Sequence, residues 1–317
     1  MIHIAIASDN NYIPFVGALL ASIRKTCNHP ITIHLLNNGI DCESINLLRY
    51  QINSYPNWVF KPYDISNIQN ALTIDNPSQI SLTSYARLYL GVILPEDVEK
   101  VLYLDCDTIV CSDISELYNM SLDNNYIAGV MDIDTNTSKH MTLLDTKEYY
   151  FNAGVLLINL SLWRKDNLLS LYLRHLSDNN GNVYHHDQGI INYVCRGRKK
   201  LLPLKYNVVT GYYDFSHKEL QKKAWQIYSP NEIREGLEVP VIVHFTPSLS
   251  GRPWNKGCRH PKRQLFWEAL NNTAWKNTIP PKKVKVHIRL LSKLHQVSPI
   301  IYQLLLSIRH RIFPNRI

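Results

Sequence analysis

Apolar and polar residues along the chain fall into blocks whose spacing switches between about two and about 3.6 residues, the periods of strands and helices. Ile2, Ile4 and Ile6 alternate with His3, Ala5 and Ala7, which predicts a first strand. The polar run Ser8-Asp9-Asn10-Asn11-Tyr12 then leads into an apolar-periodic helix from about Pro14 to Lys25. A strand over Ile31 to Leu36, a helix near Cys42 to Ile52 and a strand over Asn57 to Tyr63 continue the alternation. Such an order predicts an α/β fold, a mainly parallel central sheet flanked by helices.

Ser81 to Leu90 reads as a further helix, closed by Gly91 and Pro95, with Arg87 as the one charge in an apolar setting. A half-buried arginine needs an anionic partner, either an internal carboxylate or a ligand phosphate. The uncharged run Val101-Leu102-Tyr103-Leu104 predicts a strand buried on both faces, and it ends in Asp105-Cys106-Asp107. Two carboxylates at the end of a buried strand are costly unless a cation or hydrogen-bond donors meet them. If strand geometry continues, both point the same way and suit a hard divalent cation. The alternative is a turn in which Asp107 or Asp113 caps the next helix.

Tyr126 to Met131 predicts a strand ending near Asp132 and Asp134, and Phe151-Asn152-Ala153-Gly154 precedes another over Val155 to Leu160. A helix containing Trp163 follows. His185-His186-Asp187-Gln188 opens a helix over Gly189 to Arg196; neighbouring residues project in different directions, so capping is favoured over a shared metal site. Residues Leu201 to Leu237 read as loops with short strands. Val239 to Val243 is a last buried strand ending at His244, where an imidazole could join the two aspartates; Gly251, Arg252 and Trp254 follow in a loop.

Composition narrows the classes. Of 317 residues, 45% are hydrophobic and 19% charged, which is ordinary for a chain with a sizeable core. No apolar run is long enough to cross a membrane and no signal peptide is expected. Six cysteines without a C-x-x-C pair or zinc spacing fit a reducing, cytoplasmic compartment. The net charge of +8 is unevenly placed. Nine Lys or Arg and no acidic residue lie between Ala269 and Ile317, so the first 268 residues hold 25 basic against 26 acidic. A nearly neutral body carries a basic tail, and no nucleic-acid partner is expected. In that tail Lys282, Lys285, Arg289 and Lys293 share a helical spacing, as do Ile301, Leu304, Leu305, Ile308 and Ile312 beyond Pro299. Apolar and cationic stripes together suit an anionic membrane surface. The expected division is residues 1–270 as one domain and 271–317 as a basic amphipathic tail.

The βα turn after the first strand lacks both G-x-G-x-x-G and the P-loop pattern. Asp9 there either accepts from a base N–H, with Tyr12 as a stacking face, or caps the helix.

In order along the chain, Asp9-Asn10-Asn11-Tyr12, Thr83-Ser84-Tyr85-Ala86-Arg87-Leu88, Leu102-Tyr103-Leu104-Asp105-Cys106-Asp107, Tyr150-Phe151-Asn152-Ala153-Gly154-Val155, Asp187-Gln188, and His244 with Pro253-Trp254 resemble glycosyltransferase family 8. The likeness is strongest to its bacterial lipopolysaccharide galactosyl- and glucosyltransferases, the lipooligosaccharide α-1,4-galactosyltransferases among them. It implies a GT-A fold, a UDP-hexose donor (galactose or glucose), Mn²⁺ with Mg²⁺ as the alternative, and transfer with retention to a glycan or glycolipid hydroxyl. By the same likeness Asp105, Asp107 and His244 would bind the metal. Ala7, Asp9, Asn11, Tyr12, Arg87, Cys106, Gly251 and Arg252 would hold the donor together with the two aspartates. Asn152, Ala153, Asp187 and Gln188 would surround its hexose, and Gln188 and Asp187 are the candidate catalytic residues. Pro247 stands where the family offers a backbone N–H, and Gln79 stands where relatives have a histidine near the acceptor. The competing expectations are a peripheral membrane protein that binds a sugar nucleotide with little catalysis, and a metal-dependent phosphohydrolase.

Overall fold

The computed structural model describes residues 1–66, 68, 82–145, 147–224, 226–278, 283–284, 286–302 and 304–305. Gln79, Lys282, Lys285, Ile308 and Ile312 lie outside the described residues.

The first strand, β1 (Ile2–Asp9), sits near the middle of a seven-stranded sheet. Its alternation divides the core. Ile2, Ile4 and Ile6 face one apolar layer, and Ala5 and Ala7 face the other. β2 (Ile31–Asn38), β3 (Trp58–Asp64) and β4 (Lys100–Leu104) are all parallel to β1 or to its neighbour, as the βα alternation predicts. The intervening helices form where expected, at Ile13–Thr26 and Cys42–Asn53. Asp41 caps the second by accepting from the Ser44 N–H at 2.7 Å. The helix expected over Ser81–Leu90 is described from Leu82 and runs past Gly91 to Ile93 as one helical path whose middle turn, Ala86–Tyr89, tightens to 3₁₀.

Beyond β4 the sheet becomes mixed. β6 (Ile127–Met131), β7 (Phe151–Asn159) and β8 (Lys199–Leu201) complete the order β3-β2-β1-β4-β7-β6-β8. β7 runs antiparallel to both β4 and β6. It also begins four residues earlier than the apolar run suggests, because Phe151, Asn152, Ala153 and Gly154 are themselves buried strand residues. The reversal puts the start of β7 beside the end of β4, and the Asp105 N–H donates to the Gly154 carbonyl at 2.8 Å.

A last buried strand does end at His244, though it is shorter than expected at its start, where Val239 is exposed; β10 (Ile242–His244) pairs with β5 (Thr108–Val110) and β9 (Val208–Val209) in a separate three-stranded sheet. One expectation is corrected. The stretch expected as loops from Leu201 to Leu237 is largely helical, with helices at Thr210–Asp214, His217–Lys223 and Pro230–Glu238. Ser216 with Glu219 and Ser229 with Glu232 form reciprocal capping boxes at two of their starts, which a run of tyrosines and charges obscured.

The tail returns to the body. Trp275 is buried in the first core layer, and Val286–Val297 is a helix. The Ser292 hydroxyl donates to the Leu249 carbonyl at 2.7 Å, His295 meets Glu219 at 2.8 Å, and Tyr302 packs on His295. Its other face is exposed at Val297, Ile300, Ile301 and Leu304. Among the described residues no helix is long and apolar enough to cross a membrane.

Ser229→Ala should lower unfolding free energy by about 1 kcal/mol, since it removes the acceptor for the Glu232 N–H on an exposed helix start. Urea denaturation at neutral pH measures this; an unchanged midpoint would count against the cap.

Candidate active site

Asp105-Cys106-Asp107 forms a tight turn between β4 and β5, closed by the Thr108 N–H on the Asp105 carbonyl at 3.2 Å. The two carboxylates still converge, because β10 presents His244 between them. His244 Nε2 is 3.0 Å from Asp107 Oδ1 and 3.9 Å from Asp105 Oδ2. The Phe245 N–H on the Asp107 carbonyl ties the end of β10 to the turn. Burial disfavours the charged imidazole, but Asp107 outweighs it and raises the His244 pKa above its ordinary value. Burial likewise opposes the Asp107 carboxylate, and His244 followed by Arg252 pulls it below the usual range. Asp107 caps no helix; Asp113 accepts from the Ser115 N–H just ahead of the helix Ser115–Asn119, whose N-cap, Ile114, makes no side-chain cap.

These three side chains fit a divalent cation. One ligand atom from each lies within 4.8 Å of the others. The other imidazole nitrogen, Nδ1, is 3.1 Å from the Asn207 side-chain oxygen, so Nε2 is the atom turned to the carboxylates. Gly154 backs the cradle: a Cβ there would lie 2.2 Å from the imidazole and 2.7 Å from the Asp105 carboxylate. Two carboxylate oxygens and one imidazole suit a metal such as Mn²⁺.

Arg87 is the charged hub beneath this group. It is 5% exposed, and its Nη2 and Nε lie 2.9 Å from Asp105 and Asp187 respectively. Nη1 donates to the Ala153 carbonyl, and the guanidinium lies 4.4 Å over the Tyr103 ring. The partners of Arg87 are therefore internal carboxylates, the first of the two alternatives. Burial raises the Asp187 carboxyl to about 6; Arg87 draws it down and Asp105 pushes it up again.

Asp187 and Gln188 sit at the start of the helix His186–Val194, behind His185 and His186, both in the left-handed backbone region. This corrects the capping expectation: His185 makes no side-chain cap, and Asp187 turns inward to Arg87. The Gln188 amide is fully engaged with protein. Its oxygen accepts from the Ala153 N–H at 2.9 Å, and its nitrogen donates to Asp132 at 3.0 Å. Asn152 also donates to Asp132 and accepts from Asn207. Asp132, Asn207 and Tyr103 carried no expected role in the site. Asp132 stood in view at a strand end, whereas Asn207 carries no local mark.

A cavity of about 280 Å³ opens above Arg87. Ala7, Asp9, Tyr12, Arg87, Asp105, Cys106, Asp107 and Arg252 line it, eight of the residues expected around a donor. Asn152, Ala153, Asp187 and Gln188 lie just behind Arg87, linked to it through Ala153 and Asp187. Asp9 also caps its own turn through the exposed Asn11 N–H. Gly251, at φ +78°, turns the loop so that Arg252 reaches Asp107 at 3.1 Å while spanning Trp254.

A family model described as glycosyl transferase family 8 matches residues 3–258. The chain belongs to that family. Among family relatives, a lipopolysaccharide 1,2-glucosyltransferase of Escherichia coli K12 is 28% identical over 324 residues, covering 95% of this chain and 88% of that protein. General stress protein A of Bacillus subtilis is 26% identical over 286 residues, covering 88% and 96%. The galactosyltransferase LgtC, solved with donor and acceptor sugar analogs, superposes with a TM-score of 0.70 at 24% identity, over 86% of this chain and 96% of that one. The fold of this family 8 chain is thus GT-A, with the mixed sheet described above.

Because the folded Asp187 pKa lies above the 3.8 of an unfolded aspartate, the folded chain keeps a proton that the unfolded chain releases between about pH 4 and 6. Stability therefore falls as pH rises through that window. Asp187→Asn should gain on the parent by up to about 3 kcal/mol between pH 4 and pH 7. Urea unfolding at both pH values measures it, and a difference independent of pH would refute the assignment.

Proposed function

We propose that the chain is a retaining hexosyltransferase that moves galactose or glucose from a UDP-sugar to a hydroxyl of a glycan or glycolipid. The observation that carries this reading is the convergence of Asp105, Asp107 and His244 on one another, with the two aspartates and Arg87 lining one cavity and Asp187 paired to Arg87, in a family 8 chain. The named activities of the glucosyltransferase relative and of the galactosyltransferase neighbour support transfer of glucose or galactose, and the first of them a lipopolysaccharide acceptor.

Asp105, Asp107 and His244 would hold Mn²⁺ or Mg²⁺, which when bound supplies Lewis-acid stabilisation to the leaving diphosphate. Arg252 extends a cation beside Asp107 toward the same charge. Asp9 and Tyr12 line the cavity and suit the uracil, with Ala7 and Cys106 in the same lining; Asn11 does not line it and would help hold the nucleoside from the turn that Asp9 caps. Asn152, Ala153, Asp187 and Gln188 surround the hexose.

Both ends of the Gln188 amide are hydrogen-bonded to protein, and an amide oxygen is a weak base, so it is a poor covalent nucleophile. Arg87 holds the Asp187 carboxylate in an ion pair and draws it away from that role. These features support front-face substitution over double displacement through Asp187. The anomeric carbon–oxygen bond to the diphosphate breaks while the acceptor oxygen bonds to the same face, and the acceptor proton passes to the departing phosphate oxygen. Calorimetric titration of UDP with and without Mn²⁺ tests the donor site. Asp105→Asn and Asp107→Asn should remove most turnover with UDP-galactose or UDP-glucose, and His244→Ala should weaken UDP binding in Mn²⁺ selectively. Equal UDP affinity in EDTA and in Mn²⁺ would sink this reading.

The outer face of the tail is proposed to rest on the anionic inner surface of the cytoplasmic membrane. Val297, Ile300 and Leu304 are exposed in a tail that, from Ala269 on, carries nine Lys or Arg and no acidic residue. Replacing the three apolar residues with Glu should abolish sedimentation with phosphatidylglycerol vesicles while UDP binding persists. Unchanged sedimentation would remove the membrane assignment.

A further inference from the structure

A second, larger cavity of about 610 Å³ lies between the loop after His244 and the tail helix. Phe215, Leu249, Trp254, Ile288, Leu291 and Tyr302 give it an aromatic and aliphatic lining. Its inner end meets the active centre twice. Ile133 lines it and follows Asp132, the partner of Gln188; Arg252 lines it and pairs with Asp107. Val284 and Ile288 also line a smaller pocket of about 170 Å³, whose wall carries Lys256, Arg259, Arg289 and Lys293. Among the described residues lining that pocket none is acidic.

We propose that the tail helix is a wall of the acceptor site, and that the acceptor is an anionic amphiphile whose apolar portion fills the larger cavity. The proposal deepens the hexosyltransferase reading and rests on it. A sugar nucleotide has no apolar part to fill such a space, and its diphosphate would be met by Arg252 and by a cation held at Asp105, Asp107 and His244. An acceptor reaching Gln188 from the tail side passes Ile133, which places its hydroxyl at the centre and its aglycone against Phe215 and Tyr302. The four cations across Ile288 complement a phosphate or carboxylate on the same molecule. The stretch that contributes Tyr302 exposes Ile301 and Leu304 on its outer side, so an acyl chain drawn from a lipid surface meets the cavity along the tail. The helix is pinned in this position by Ser292 on Leu249, Arg259 on Ser292 and His295 on Glu219.

The full chain, loaded with UDP and Mn²⁺, is titrated calorimetrically with n-octyl and methyl β-D-glucopyranoside below micellar concentration. Each fully buried methylene is worth about fourfold in affinity, so burying two of the octyl chain's methylenes already makes that compound bind at least about tenfold more tightly. Ile288→Trp fills the cavity and should erase that difference, while Leu290→Trp, exposed on the same helix, should keep it; melting temperatures check that both fold. Reversing charge at Arg289 and Lys293 with Glu should weaken n-octyl phosphate about tenfold and leave the octyl glucoside unchanged. Equal binding of the octyl and methyl glucosides, with UDP still bound, would overturn the acceptor cavity alone. Inorganic phosphate binding as tightly as octyl phosphate would mark a free-anion site and overturn the amphiphile. A chain ending at Leu305 that binds the octyl glucoside more tightly than the full chain would assign the cavity to the chain's own last twelve residues. Loss of UDP binding itself would instead strike the donor reading beneath the proposal.

Discussion

A single buried guanidinium shared between two carboxylates is the constraint on which the rest of the active centre depends. Arg87 joins Asp105, at the end of β4, to Asp187, at the start of a helix a hundred residues later. None of these charges could be buried alone. Removing one partner of such a pair leaves an uncompensated charge, typically at a cost of about 3–5 kcal/mol. The pairing therefore holds the 3₁₀ turn Ala86–Tyr89, the D-x-D turn and the helix His186–Val194 in one geometry. The Tyr103 ring under the guanidinium and the Ala153 carbonyl beside it complete the seat.

The reversal of β7 follows from the same arrangement and makes it usable. An antiparallel strand brings its first residues, not its last, to the sheet edge where β1 and β4 end. Asn152 and Ala153 thereby reach Gln188 and Asp132, and Gly154 lies against His244 with no room for a side chain. His244 arrives from a different sheet, aligned through β5, which starts directly after the Asp105-Cys106-Asp107 turn. The acidic turn is thus anchored on one side by the main sheet and on the other by the smaller one. That double anchoring keeps two carboxylates and an imidazole close in spite of their mutual desolvation.

The tail is part of this body as well as its edge. One face of the helix Val286–Val297 is bonded to the loop that carries Arg252, while the other presents apolar residues to solvent. A segment with two such faces links what lies outside the molecule to the cavity next to the active centre. Its basic residues lie where an acidic ligand or surface would meet them.

The periodicity of the chain determined the first half of the sheet, because β1, β2 and β4 are buried on both faces and announce it as uncharged apolar runs. It also marked Asp105, Asp107, Arg87 and His244, whose charge or imidazole at a buried position has no meaning without a partner. Capping boxes at Ser216 and Ser229 were legible too, yet the tyrosine-rich surroundings masked the helices they begin. Tertiary structure alone decided which partners those charges take. Asp187 reads locally as a cap and becomes an ion pair; Asp132 reads as a strand end and becomes the acceptor for Gln188 and Asn152. The direction of β7, the separate sheet of β10 and the docking of the tail are set by contacts between residues far apart in the chain. A local pattern reports how much of a segment is buried, and it carries no information about what that segment is buried against.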